Sequence, residues 1–149
     1  MSLIQKITDD MKAAMKSGDH ARLETVRFVL SGLKAAEKEK QAKDPSAVLT
    51  DEEAITVLRK EAKRRKESIA LFTQGGRADL AAKEQADLAV IMEYLPKELS
   101  REEIAAIVAK AHAAGANDFS SLMRETMKEV KGRADGTAVG EVIKEALGA

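Results

Sequence analysis

A chain of 149 residues with 25 lysines and arginines against 25 aspartates and glutamates has no formal net charge, which argues against a globally basic nucleic-acid protein but leaves local patches open. There is no cysteine, so disulfides, thiolate metal sites and a cysteine nucleophile are excluded. No apolar run reaches membrane-span length, and the opening MSLIQKITDDMKAAMK mixes acids into its first turns, so a cytoplasmic protein without membrane contact is expected.

With two prolines, four aromatic residues and an excess of good helix formers, the composition favours helices packed through aliphatic side chains. The first predicted helix opens with Ser2 as N-cap and Gln5 three residues on, a capping box. Leu3, Ile4, Ile7, Met11, Ala14 and Met15 then recur at three and four, and Gly18 stops it. Asp19 is placed to cap a second helix striped by Leu23, Val26, Leu30 and Leu33, which ends before Pro45. Thr50 and Glu53 form a second capping box. The third helix carries Ile55, Leu58, Ala62, Ile69 and Phe72 on one face, and Gly75 and Gly76 break it. The fourth runs through Leu80, Leu88, Ile91, Met92 and Leu95 to Pro96.

A domain boundary is expected at Pro96, because a strong stop there precedes a new start. Ser100 with Glu103 is a third capping box. Three shorter helices follow, striped by Ile104, Ile107, Val108 and Ala111, by Phe119, Leu122, Met123, Met127 and Val130, and by Val139, Val142, Ile143, Ala146 and Leu147. No segment alternates with the period of a strand. The expected fold is all-α in two helical subdomains, an N-terminal four-helix part over residues 1–95 and a C-terminal three-helix part over residues 96–149.

The tetrapeptide Gly-Arg-Ala-Asp occurs twice, at Gly76–Asp79 and at Gly132–Asp135. The flanks differ, and both copies lie where one helix stops and the next starts, so capping accounts for the Gly and Asp of each. The second copy has more to explain. Lys131, Gly132 and Arg133 sit ahead of a helix N-terminus, where backbone N–H groups and two cations suit a phosphate. The densest charge run is RKEAKRRKE. On a wheel set by the apolar stripe, Lys60, Lys63, Arg64 and Glu67 point outward, while Arg59, Arg65 and Lys66 flank the stripe. This is either a solvated face, with Lys63 pairing Glu67, or a surface that tracks an RNA backbone. Arg65 and Arg77 are each expected to need a carboxylate, with Glu84, Asp87 and Glu24 the candidates. His20 and His112 stand alone without metal-ligand spacing, and no nucleophile–base motif is present. No catalytic residue, metal site or cofactor is therefore assigned.

KRRKESI, then GGRADLAAKEQADLAVIMEYLPKELS, then KGRADG, together with an opening helix pair that includes Arg22, Leu23 and Arg27, resemble the YqeY proteins nearly end to end. That resemblance implies two helical subdomains. It also implies a similarity to the C-terminal tail of the GatB subunit of the tRNA-dependent amidotransferase, a tail thought to hold the body of the tRNA. Lys131, Gly132, Arg133 and Ala134 stand where the tail has its Lys-Gly-Lys-Ala-type turn, although Asp135-Gly136 replaces the tail's more usual Asn-Pro. The carbon–nitrogen ligase reaction, with glutamine as amido donor, belongs in that enzyme to parts not recognised in this sequence. The resemblance thus implies a tRNA-binding, amidotransferase-associated role, with tRNA and translation components as partners. The expected nucleic-acid contacts are Lys60, Lys63, Arg64, Lys131, Gly132 and Arg133. The alternative is a protein–protein adaptor without an RNA role.

Overall fold

The computed structural model describes residues 1–148. Among them are seven α-helices and no strand: α1 (Leu3–Ser17), α2 (His20–Gln41), α3 (Asp51–Gln74), α4 (Ala78–Tyr94), α5 (Arg101–Ala113), α6 (Phe119–Val130) and α7 (Gly136–Ala146). They fall into two compact units, Met1–Leu95 with α1–α4 and the residues from Pro96 onward with α5–α7.

Local signals explain most helix ends. Thr50 accepts from the Glu53 N–H while Glu53 accepts from the Thr50 N–H, and Ser100 and Glu103 do the same. Asp19 caps α2 through the Arg22 N–H. Gly18 ends α1 in the left-handed conformation (φ 75°), which a side chain would resist. The opening capping box is only half formed. Ser2 accepts from the Gln5 N–H, but the Gln5 amide donates to Asp9 instead, at 2.9 Å. One cap was not foreseen: Asp118 accepts from the Ser121 N–H at 2.7 Å and starts α6.

The first core gathers Ile7 from α1, Val26, Leu30 and Leu33 from α2, Ala54, Leu58 and Ala62 from α3, and Leu88, Ile91 and Tyr94 from α4. The link between α2 and α3 is tied down by side chains of α2. Lys40 Nζ donates to the Val48 carbonyl at 2.9 Å and to Glu53 at 2.8 Å, and Glu37 accepts from the Leu49 N–H. At the other end of the bundle, Tyr94 donates to Asp10 at 2.6 Å and Arg22 pairs with Glu93 at 2.8 Å, pinning α1, α2 and α4 together. Burial, followed by the Asp10 hydrogen bond, holds the Tyr94 phenol well above its usual range.

The second core is built from Ile104, Val108, Leu122, Val130, Val139, Val142 and Ile143. Several residues of the predicted stripes lie largely outside the cores. Met15, Met92, Phe119, Met127 and Leu147 are all exposed. Met15 and Leu147 sit at helix ends. On α6 the buried line is Leu122, Thr126 and Val130, a spacing of four that turns Phe119 and Met127 outward.

Candidate nucleic-acid interface

The basic run of α3 is sorted by its neighbours into inward and outward cations. Arg65 lies within the helix packing, its side chain only 12 % exposed. Its Nε donates to Glu61 Oε1 at 3.0 Å, and its Nη1 donates to Glu84 Oε2 at 3.2 Å and to Asp87 Oδ2 at 2.7 Å. The other oxygen of Asp87 accepts from Thr25 Oγ1 at 2.8 Å, so one guanidinium joins α3 and α4 and connects to α2. A partly buried charge held by several ionised acceptors is far more strongly fixed than an exposed pair. Arg65 flanks the apolar stripe, as the wheel implies, and meets the carboxylates expected for it, Glu84 and Asp87 on α4.

Lys60, Lys63 and Arg64 are exposed, as the wheel implies. Arg64, 75 % exposed, donates to Glu61 Oε2 at 3.3 Å, so Glu61 serves Arg64 with one oxygen and Arg65 with the other. The expected Lys63–Glu67 pair is not formed among the described residues. Both side chains extend into solvent, where such a pair is worth only a few tenths of a kcal/mol. Arg77 has a carboxylate partner, as expected, but not one of the candidates. It is 58 % exposed and, among the described residues, pairs with Asp79 at 3.2 Å and not with Glu84, Asp87 or Glu24. That contact is the first cause holding the Asp79 carboxyl below its ordinary value.

The turn between α6 and α7 belongs to the second unit. Lys131 ends α6 in the left-handed region, at φ 47° and ψ 48°, and Gly132 follows at φ 78°. Only Lys131 among the described non-glycine residues has a positive φ, a conformation that costs about 1–2 kcal/mol for an L-residue. The sequence points to Gly132 as the left-handed residue and gives no sign that Lys131 shares the conformation. Arg133 is half-buried. Its N–H donates to the Val130 carbonyl at 2.9 Å, its Nε approaches the same oxygen at 3.4 Å, and its carbonyl accepts from the Leu99 N–H at 2.8 Å. Asp135 caps α7 through the Ala138 N–H at 2.7 Å and places a carboxylate at that helix N-terminus. The terminus is therefore occupied by the chain's own anion, and the exposed cation of the turn is Lys131.

The sequence matches the family described as Yqey-like protein over residues 4–147. The chain belongs to the YqeY family.

YqeY relatives with curated names include fungal proteins called altered inheritance of mitochondria protein 41, mitochondrial. The one from Pyrenophora tritici-repentis is 29 % identical, over 99 % of this chain and 82 % of its own length. The one from Kluyveromyces lactis is 38 % identical over 70 % of this chain and 56 % of its own length, and the one from Lachancea thermotolerans is 36 % identical over 62 % and 47 %. This YqeY chain therefore matches about half the length of the two yeast relatives. No helix among the described residues is long and apolar enough to cross a membrane.

Proposed function

We propose that this YqeY protein is a tRNA-binding accessory factor related to the amidotransferase system, holding RNA by its phosphates without a complete catalytic site of its own. The observation that carries the reading is the sorting of charge on α3. Glu61, Glu84 and Asp87 hold Arg65, while Lys60, Lys63 and Arg64 project from the outer face. Lys131 adds an exposed cation in a backbone conformation that glycine would adopt at lower cost, which suggests that the ammonium group is what the position keeps. Gly132 lets the chain turn there, and Arg133 offers the rest of its half-buried guanidinium. Phosphate contacts of this kind bind without strong sequence preference and weaken steeply with salt. The reading places the protein in the cytoplasm, where its partners would be tRNA and translation components. The fungal relatives are named as mitochondrial.

The adaptor reading has its own supporting observation. An open groove of about 410 Å³ lies between α5 and α7, its lining including Ala105, Ala109, Val142 and Leu147 together with the polar His112 and Glu145. Grooves of this type receive amphipathic helices. A mobility-shift titration of the full chain with labelled tRNA at two salt concentrations separates the readings. The RNA reading requires a shift that fades as salt rises, and no shift at low salt favours the adaptor.

A further inference from the structure

Phe28 is one of only four aromatic residues in the chain, and it is 49 % exposed in the middle of α2. A lone exposed apolar side chain needs no explanation, but the surroundings of this one are unusual in three respects. One side of the ring is covered by a cation: Arg65 Cζ lies 5.0 Å from the ring centroid. That guanidinium is immobilised by Glu61, Glu84 and Asp87, so the ring rests on a fixed planar support.

One turn further along the same helix stands Gly32. A glycine in a helix interior costs about 1 kcal/mol relative to alanine. Its φ is not in the left-handed region, and a Cβ placed there would meet nothing within 4 Å. Neither backbone conformation nor packing therefore calls for glycine. Helical side chains lean toward the N-terminus, so a long side chain at position 32 would lie back over the turn that carries Phe28. Glycine keeps that space clear.

The third feature is charge. Glu61 connects Arg65, beside the ring, to the exposed Arg64, one carboxylate oxygen to each. A phosphate placed directly on the ring would meet the field of Glu61, Glu84 and Asp87. A neutral flat group would not, and its attached phosphate could extend outward to Arg64.

We propose that the open side of the Phe28 ring is a stacking site for an unpaired nucleobase, with Arg64 contacting the phosphate of that nucleotide. The proposal rests on the RNA-binding reading and adds to it a preference for single-stranded loops or ends, because a base must leave its stack to lie on an aromatic ring.

The chain contains no tryptophan, so Phe28→Trp installs a single fluorescent reporter at the site. The full-length variant is titrated with a single-stranded uridine oligonucleotide, with the same strand in a duplex, and with an abasic strand carrying the same phosphates. Saturable quenching by the single strand alone is expected. Followed by the anisotropy of an end-labelled single strand, Phe28→Ala should bind roughly tenfold more weakly than wild type, in the range of one lost base stack. Gly32→Leu should lose the same binding while its unfolding midpoint stays at or above that of wild type, which a purely structural role for Gly32 would not produce. Equal quenching by the abasic strand, or unchanged affinity in Phe28→Ala, overturns the stacking site and leaves phosphate binding standing. If wild type binds none of the three oligonucleotides, the stacking site and the RNA reading fall together. Quenching by an arginine-rich peptide without any response to the oligonucleotides also overturns the proposal, and assigns the ring to a protein partner.

Discussion

Thr126 is wholly buried on α6, and its hydroxyl has no hydrogen-bond partner among the described residues. An unsatisfied buried hydroxyl costs about 1–3 kcal/mol, whereas valine has nearly the same shape and no polar atom. Thr126→Val should therefore stabilise the second unit by about 1 kcal/mol, seen as a higher midpoint in chemical denaturation. A lower midpoint would mean that the hydroxyl is satisfied. Lys131 presents the complementary case. Lys131→Gly removes the strain of a left-handed lysine and should raise stability by about 1 kcal/mol. The same change should weaken tRNA binding if the ammonium group is what the position retains. A variant that gains stability and keeps full affinity would remove Lys131 from the interface. Neither the burial of Thr126 nor the left-handed backbone of Lys131 was legible in the sequence. Threonine reads as polar in a periodicity count, and a left-handed lysine leaves no mark when the glycine beside it explains the turn.

At the scale of elements, caps were the most legible feature, because a cap depends on residues only three apart. Thr50 with Glu53, Ser100 with Glu103, and Asp19 all act as their spacing implies. Asp135→Ala removes the Ala138 N–H contact and should cost about 1 kcal/mol, with an unchanged midpoint counting against the cap. The caps also predict the acid limb of stability. The Lys40 contact, followed by the Thr50 N–H, holds the Glu53 carboxyl below its ordinary 4.5, and the Ser121 N–H holds Asp118 below 3.8. For groups depressed in the folded state, the stabilisation is complete above the ordinary value and disappears as pH falls through the folded one. On the acid side, thermal midpoints should thus hold level down to about pH 5 and decline below about pH 4.5. Replacing Glu53 and Asp118 with Gln and Asn should lower the plateau and flatten part of that decline. An unaltered acid limb in the double variant would contradict the assignment. Tyr94 acts at the other extreme. Its pKa is raised in the fold, so its contribution is complete below the ordinary value of 10 and is lost as pH rises beyond it. Tyr94→Phe should reduce the alkaline decline.

For the molecule as a whole, the helical pattern and the YqeY membership could be read from periodicity, punctuation and three ordered motifs, since each helix has its own start, stripe and stop. The fate of individual cations was harder to read. Arg64 and Arg65 are adjacent in sequence and similar in chemistry, yet one is exposed and the other is held by three carboxylates. What separates them is the register of α3 against α4, which brings Glu84 and Asp87 opposite position 65 and not 64. A wheel drawn on one helix cannot supply that register. The correct choice of Glu84 and Asp87 for Arg65, and the failure of the same candidates for Arg77, follow from the same cause. Arg77 lies at the start of α4, beyond the reach of those carboxylates, and turns to Asp79.

The claim that these exposed cations hold RNA phosphates is tested most directly by a salt titration of affinity for one tRNA. Wild type is compared with a variant in which Lys60, Lys63, Arg64, Lys131 and Arg133 are all replaced by glutamine. Four of the five side chains are exposed, and Arg133 is half-buried, so circular dichroism must first show the helix content unchanged. The account predicts that the variant loses most of its affinity at low salt. It also predicts a shallower slope of log affinity against log salt, by up to about 0.9 for each phosphate contact removed. Equal affinities and equal slopes for the two proteins would contradict it.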